Sequence, residues 1–423
     1  MNTISSQRFR RIAVTVCTIF LTLLVFSLPS PADHFKDHIK SIERITIHKW
    51  DDGKVTWFLP RTTVVPSSKG VGKGAKILMT LQEIGGSDYY GPVKWRESSD
   101  LGKSWSEIRD VPGWGRLKLD DGVEQAVSDV VPEYHPKTKT VLAIGQTLFY
   151  KDGRFFTDQP PRHVVYSVRD AAGDWSTPKK LIWDDPRGSR IYVAGCAERV
   201  TLPNGDILLP LSFAPLGRLD NSVAVALCSF DGRELKIKRL GNELRNTVKR
   251  GLLEPSIVQF GGKFYLTIRA EDNRGYVAVS SDGLNWEKPN AWSWDNGEAL
   301  EMSTTQQHWL KHSAGLYLVY MRKAEENANV MRWRAPLFMA LIDQKTMRLI
   351  RSTERVVFPL LGDGINNPTM VPHYGNFHTM MLNREQSLIL AGEVIPANFH
   401  GDMLMARIWW NLPNRFAGNV PGN

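Results

Sequence analysis

The sequence predicts an all-β fold, a β-propeller of six blades, on three observations. First, a pair of short apolar strands recurs, and the second strands align: Ile77–Gln82, Val141–Gln146, Ile207–Ser212, Phe264–Arg269, Leu316–Arg322 and Leu388–Glu393. They repeat at intervals of roughly fifty to seventy residues, each ending on a polar side chain. Second, turn signals precede several of them, at Pro203-Asn-Gly-Asp206, Gly261-Gly262 and Ser313-Ala-Gly315. Third, 34 glycines and 24 prolines punctuate the chain, and helical periodicity is almost absent. A long β-sandwich or a β-helix is the structural alternative.

The chain opens on a targeting segment. Arg8, Arg10 and Arg11 precede an uncharged, largely apolar run over 12–28, followed by Ser30-Pro31-Ala32, small residues of the kind a signal peptidase accepts. Residues 1–32 therefore read as a leader for export, periplasmic or secreted. The length of the run leaves an uncleaved membrane anchor as the alternative. Residues 33–50 read as a lead-in strand, and 33–423 as a single propeller domain.

Lys and Arg exceed Asp and Glu by nine; the leader holds three arginines and no acid, so the body keeps an excess of six. The basic residues are scattered, with no arm or stripe for nucleic acid. A mildly basic body suits an anionic substrate, and equally suits solubility alone. Cys196 and Cys228 fall on the first and third strands of one predicted unit, too far apart to bridge, and read as two buried thiols. No metal-ligand spacing or cofactor fingerprint occurs, so none is expected.

The fourth unit carries the most pointed pattern. In the segment 253–272, Gly261-Gly262 joins two apolar runs as a hairpin, with Glu254 near its start and Arg269 near its end. The two charges meet at one end of the hairpin, either as a structural ion pair or as part of a site.

A second repeat lies between these hairpins. Ser98-Ser-Asp100-Leu-Gly102-Lys-Ser104-Trp105 fits S-x-D-x-G-x-[ST]-W, the Asp-box. Ser280-Ser-Asp282-Gly283-Leu-Asn-Trp286 is one residue shorter, and the run from Ser167 through Asp170 and Gly173 to Trp175 is looser. Each reads as a structural turn: Asp accepts hydrogen bonds from its own loop and Trp packs back on the sheet.

Asp-boxes on a predicted six-bladed propeller make the chain resemble the sialidase superfamily over most of its length after residue 55. The resemblance implies a retaining exo-glycosidase that cleaves a terminal acidic sugar. It would use an arginine triad for the substrate carboxylate, an aspartate acid, and a tyrosine nucleophile activated by a glutamate. Glu254 and Arg269 match the family's glutamate and first downstream arginine within E-P-S-I-V-x-F-x-G-K-x-Y-L-x-x-R. Arg334 matches its R-x-x-L arginine in Arg334-Ala-Pro-Leu337, on a strand expected to carry Arg332 on the same face. The N-terminal R-I-P motif is replaced by Phe58-Leu59-Pro60-Arg61, so Arg61 would serve from a shifted position. Asp88, twelve residues before Asp100, is the implied acid, and Tyr374 in the last unit the implied nucleophile.

Asp129, Glu133, His135, Glu198, Gln306, Gln307 and His308 mark the starts of inner strands, where a polar pocket would be built; His163 and Tyr192 are further candidates. Of these, Asp129, His135, Gln307 and His308 are the ones expected to touch substrate. The partner is a carbohydrate, expected to be anionic. Two other functions fit the same residues: a polysaccharide lyase or other glycosidase with a His or Tyr base, and a sugar-binding propeller without catalysis.

Overall fold

The computed structural model describes residues 38–66 and 74–418. The leader and the anchor alternative lie outside them. The main strands are β1 (Ile39–His48), β2 (Trp57–Val65), β3 (Lys76–Gly86), β4 (Lys94–Ser98), β5 (Val123–His135), β6 (Thr140–Lys151) and β7 (Arg162–Arg169). They continue as β8 (Ile191–Val193), β9 (Ile207–Ala214), β10 (Ser222–Phe230), β11 (Leu235–Leu240), β12 (Leu252–Phe260), β13 (Lys263–Ala270) and β14 (Gly275–Ser280). The last are β15 (His308–His312), β16 (Gly315–Tyr320), β17 (Leu337–Asp343), β18 (His373–Met381), β19 (Gln386–Val394) and β20 (Met403–Trp410).

The fold is all-β and propeller-like. Consecutive strands pair antiparallel as meanders, and every aligned second-strand segment of the sequence falls on the second strand of a meander: β3, β6, β9, β13, β16 and β19. The hydrogen bonding among the described residues nevertheless gives five sheets where the sequence predicts six. One twelve-stranded sheet contains both the β5–β6–β7 and the β9–β10–β11 meanders. A short parallel pairing of Arg162 and His163 with Ile191 and Tyr192 joins them. Periodicity cannot show such a seam, because it concerns two residues at strand ends.

Middle strands are apolar on both faces because a neighbouring sheet covers each. All eight residues of β9, Ile-Leu-Leu-Pro-Leu-Ser-Phe-Ala, are buried. Leu208 on β9 packs with Ile257, Leu266 and Trp286 of the next sheet, and Leu209 and Leu211 with Ile144 and Tyr166 of the previous meander. Each such side chain contributes about 1.5–3 kcal/mol by leaving water.

The turns behave as their residues dictate. Gly261 and Gly262 both take positive φ, at 56° and 80°, and close the β12–β13 hairpin. Asp100 Oδ1 accepts from the amides of Lys103 and Ser104 at 3.1 and 2.9 Å, and Asp282 Oδ1 from those of Leu284 and Asn285 at 2.9 and 2.7 Å. Asp170 accepts from the amides of Gly173 and Asp174 in the same way. Trp286 is buried behind its turn, and Trp105 and Trp175 are partly so. Cys196 and Cys228 are both buried and free.

The inner strands β2, β5, β12, β15 and β18 lie side by side around the centre. The first strand, β1, pairs with β20, so both ends of the chain share one sheet.

Candidate functional site

The inner strands share an irregularity at their leading ends. Register breaks fall between Phe58 and Arg61 in β2, Ser128 and Val131 in β5, Leu253 and Ser256 in β12, and His373 and Asn376 in β18. In three of them a non-glycine residue adopts the left-handed conformation: Leu59 (φ 54°), Asp129 (φ 55°) and Glu254 (φ 45°). In the third meander the chain leaves the ladder between Val193 and Val200, and Cys196 sits at φ 66°. Each such residue costs roughly 1–2 kcal/mol. A bulge re-aims the side chain it carries, and strain gathered at one end of a barrel-like ring marks a site.

At this rim the β12–β13 hairpin supplies an ion-pair chain. Arg269 Nη1 donates to Glu254 Oε1 at 2.6 Å, and Arg269 Nη2 lies 3.7 Å from Glu271 Oε1. Glu271 in turn grips Arg250, whose Nε is 3.0 Å from both carboxylate oxygens. Burial alone would push the Glu254 carboxyl up, but Arg269, Arg250 and Arg334 outweigh it and hold the pKa below the ordinary value. Glu254 is therefore an ionised group and a weak base.

Arg334 is the unsatisfied member of the cluster. Its Nε is buried without a hydrogen-bond partner, and no carboxylate pairs with its guanidinium among the described residues. Burial, then the charges of Arg332 and Arg269, pull its pKa down to about 10. It lies against Gly375, where a Cβ would come within 3.0 Å of Arg334 Cδ and Nε, so only glycine leaves the guanidinium its place. Beside it His373 is 2% exposed, with neither ring nitrogen hydrogen-bonded. Burial and the Arg334 charge lower its pKa to about 3, so the imidazole is neutral.

Across the rim, exposed Asp88 occupies a turn at φ 52° and its Oδ1 accepts from the Tyr90 hydroxyl at 3.0 Å. Tyr90 is buried, and its amide donates to the Tyr150 hydroxyl at 3.0 Å. Arg116 stacks on Tyr150 and Tyr89, 4.1 and 4.5 Å from the ring centres. The charge of Asp88 is felt at Arg332 and Arg334, so the three lie within electrostatic reach of one another.

Several predicted residues stand elsewhere or otherwise. Arg332 and Arg334 do not share a strand face. They lie at a tight turn over Met331–Trp333 with Arg332 at φ 54°, and β17 begins only at Leu337, after Pro336. Arg61 follows the β2 bulge, which reverses its facing, and it is fully buried inside the ring. There it donates to the Phe377 carbonyl and, at 3.0 Å, to Gln306 Oε1, with Asp129 Oδ1 at 4.0 Å. Its charge is felt at Glu198, His308 and His378, and His308 also feels the charge of Glu254.

Tyr374 is wholly buried, its hydroxyl donating to the Pro359 carbonyl at 2.8 Å. Burial first, then neighbouring Glu393, raise its pKa. It faces Glu393 and not Glu254, because the β18 bulge falls at this point and flips the alternation. Tyr374→Phe is accordingly expected to keep any turnover within about twofold and to cost about 1 kcal/mol in a denaturant melt, the worth of one buried hydrogen bond. Loss of turnover with an unchanged melt would restore Tyr374 as nucleophile.

Asp129 accepts from Gln146 at 2.8 Å, Ser128 at 3.0 Å and Cys196 Sγ at 3.0 Å. His308 Nδ1 meets Ser256 Oγ at 3.0 Å, and Gln307 accepts from Thr267. His135 ends β5, away from the rim, held by Thr138 Oγ1 and the Gly205 carbonyl at 2.8 Å each. It lies close to the lining of a cavity of about 1030 Å³ at the opposite end of the ring, bounded by Glu133, Glu198, Arg199 and Lys311. This cavity of about 1030 Å³ is thus not the one beside Glu254. Arg250, Glu271, Tyr90 and His373 escaped sequence reading. Arg250 and Glu271 flank the hairpin directly, and their opposite charges at its two ends were the available signal.

No protein-family model matches the sequence, and no curated protein does. Solved structures do match. A protein of unknown function from Dyadobacter fermentans superposes with a TM-score of 0.61 at 13% identity, over 88% of this chain and all of that one. Trypanosoma rangeli sialidase, solved with sialic acid, gives 0.58 at 14% identity over 87% of this chain, which spans 59% of the length of that protein. A Hadza microbial sialidase gives 0.59 at 13% identity, with 86% and 68% covered. The likeness is one of fold. At these identities it supports a sialidase-like propeller and transfers no residue role.

Proposed function

We propose that this chain is a glycoside hydrolase of sialidase type that takes an acidic sugar at the rim, on a propeller of six blades in which the twelve-stranded sheet counts as two. The observation that carries the reading is Arg334. A partly buried guanidinium whose Nε is buried and unbonded, with no carboxylate partner and pressed by two like charges, is open to an anion. The planar fork of arginine matches a sugar carboxylate as lysine does not. Arg269 and Arg332 flank the same spot.

Hydrolysis needs a proton on the leaving oxygen, negative charge against the oxocarbenium ion that develops, and water from the open rim to add its oxygen to the anomeric carbon while its proton returns to the acid. Asp88 supplies the first: it is exposed, and the Tyr90 bond on Oδ1 leaves Oδ2 without a hydrogen-bond partner among the described residues. Ionised Glu254 supplies the second.

His373 favours one rival. A lyase needs a base for the α-proton of a uronate, and His373 stands beside Arg334 with neither ring nitrogen bonded, although it is buried and would have to be uncovered to serve. One assay separates the readings. Purified chain is offered fluorogenic aryl glycosides of sialic and uronic acids, and in parallel acidic polysaccharides followed by ultraviolet absorbance of an unsaturated product. Fluorophore release that is lost in Asp88→Asn is the expected result. Absorbance growth without fluorophore release transfers the site to the lyase class. Binding without any product, surviving Glu254→Gln, reduces it to a sugar-binding propeller.

A further inference from the structure

Beside the Arg334 cleft lies a second cavity of about 480 Å³, lined by Lys249, Arg250, Glu271, Asn273, Arg332 and Trp333 among others. We propose that it receives a second anionic group of the same substrate, so that the enzyme acts on saccharides carrying two negative charges, a sulfate ester on the acidic sugar or the carboxylate of the next ring. The inference rests on the reading of Arg334 as the seat of the first carboxylate.

The charge balance motivates it. Three cations line the cavity against one carboxylate, and Glu271 is already gripped by Arg250 through both oxygens. Lys249 and Arg332 have no acidic partner among the described residues. Taken with the adjoining cleft, Lys249, Arg250, Arg269, Arg332 and Arg334 face Glu254 and Glu271, an excess of three positive charges before Asp88 is met across the opening. Excess charge of one sign opposes folding through self-repulsion and is neutralised by a ligand of the other sign.

The cavity is also built. Lys249, Arg332 and Trp333 all sit in the left-handed region, at φ 51°, 54° and 49°. Two such residues in succession cost roughly 2–4 kcal/mol of backbone strain. The turn is pinned by buried Ser303, whose hydroxyl donates to the Arg332 carbonyl. An exposed loop with no task would relax this conformation at little cost. Continuity with the first site runs through Glu271, which lines the cavity and also approaches Arg269 Nη2 at 3.7 Å. The partly exposed Trp333 indole, with Lys323 Nζ 5.6 Å from the ring centre, gives the cavity wall a flat apolar surface for a sugar ring.

The test is calorimetric titration of the full chain with methyl glycosides of sialic and of glucuronic acid, each with and without a sulfate ester, and with the unsulfated dimer of each sugar. The sulfated or the dimeric probe is expected to bind about tenfold more tightly than the singly charged one, with a steeper dependence on salt. Whichever of the two gains identifies the source of the second charge. In Lys249→Glu that advantage disappears, while the singly charged probe stays within about twofold. Equal affinity for all probes, or an advantage that survives Lys249→Glu, overturns the inference. Arg334→Ala separates the two levels. If the singly charged probe binds and depends on Arg334 but the second charge adds nothing, this inference alone falls. If no probe depends on Arg334, the reading of the rim falls with it.

Discussion

Replacing Arg334 by alanine is expected to lower kcat/KM on an acidic glycoside by about 10²–10³, with the folded state as stable as before or slightly more so. The loss follows from a forked charge-assisted contact, worth about 3–4 kcal/mol in a site closed to water. The stability follows from the same residue being badly placed for folding alone: Nε is buried and unbonded, and Arg332 and Arg269 repel it. Arg334→Lys is expected to recover little activity, since an ammonium cannot fork. The measurement is a pair of columns from one preparation, kinetics and denaturant midpoint. A midpoint that drops together with activity makes Arg334 a structural residue held by its contact with Gly375, and removes the main support for an anionic substrate. Activity lost at constant stability is the pattern of a binding residue that the fold tolerates at a cost.

The second large effect is on stability against pH, and it concerns Glu198 inside the ring. Burial pushes its carboxyl up to about 8, against bonds from Thr379 and the Trp309 amide and the charge of Arg61, which lower it. Geometry supports a proton there independently. Thr379 Oγ1 lies 2.6 Å from Glu198 Oε1 and 2.5 Å from the Trp309 carbonyl, and one hydroxyl hydrogen cannot serve both acceptors. A proton on Oε1 resolves the conflict by donating to Oγ1. The other groups near it are His308, with Nδ1 at 3.8 Å from Oε2 and a pKa held low by burial, and Glu133, which feels its charge.

Between the ordinary carboxylate value of 4.5 and about 8 the unfolded chain has lost this proton and the folded chain keeps it. Stability from this group is therefore whole below the unfolded value and falls by about 1.4 kcal/mol per pH unit up to the folded one. Glu393, raised to about 7 chiefly by burial, adds a loss of the same sign over a narrower window. Glu198→Gln mimics the protonated carboxyl, its amide donating to Thr379 and its oxygen accepting from Trp309. Chemical melts at successive pH values should show its slope flattened by about 1.4 kcal/mol per unit between pH 5 and 8. A variant whose stability falls with pH as steeply as the parent would show Glu198 ionised in the folded chain.

Sequence carried the repeat far and the site part of the way, for a shared physical reason. Middle strands are legible because burial on both faces demands continuous apolar runs, as in β9 and β13. The β12–β13 hairpin is legible because Gly261-Gly262 has few other uses, and with it came the pairing of Glu254 and Arg269. The inner-strand bulges are not legible. Leu59, Asp129 and Glu254 adopt positive φ without being glycine, so nothing in their identity announces it. Alternation read across a bulge then assigns the wrong face. That is why Arg61 turns inward and why Tyr374 meets Glu393. Arg332 and Arg334 failed as strand residues for a plainer cause, since Pro336 delays β17 to Leu337. Both still reach the rim, because the turn that holds them opens on the same cleft.

The pairing of β1 with β20, from Ile39 opposite Trp410 to His48 opposite Met403, sets a timetable for the newborn chain. Among the described strands β1 leaves the ribosome first, and it has no strand partner until β20 follows it. For that interval β1 presents a bare edge to everything around it, with charges at Lys40, Glu43 and Arg44 to discourage neighbours. The ring can be latched only after β20 has been made, a closure between strands about 360 residues apart that is slow by its length. A chain stalled or cut before Met403 would hold most of its meanders and yet remain an open, sticky arc.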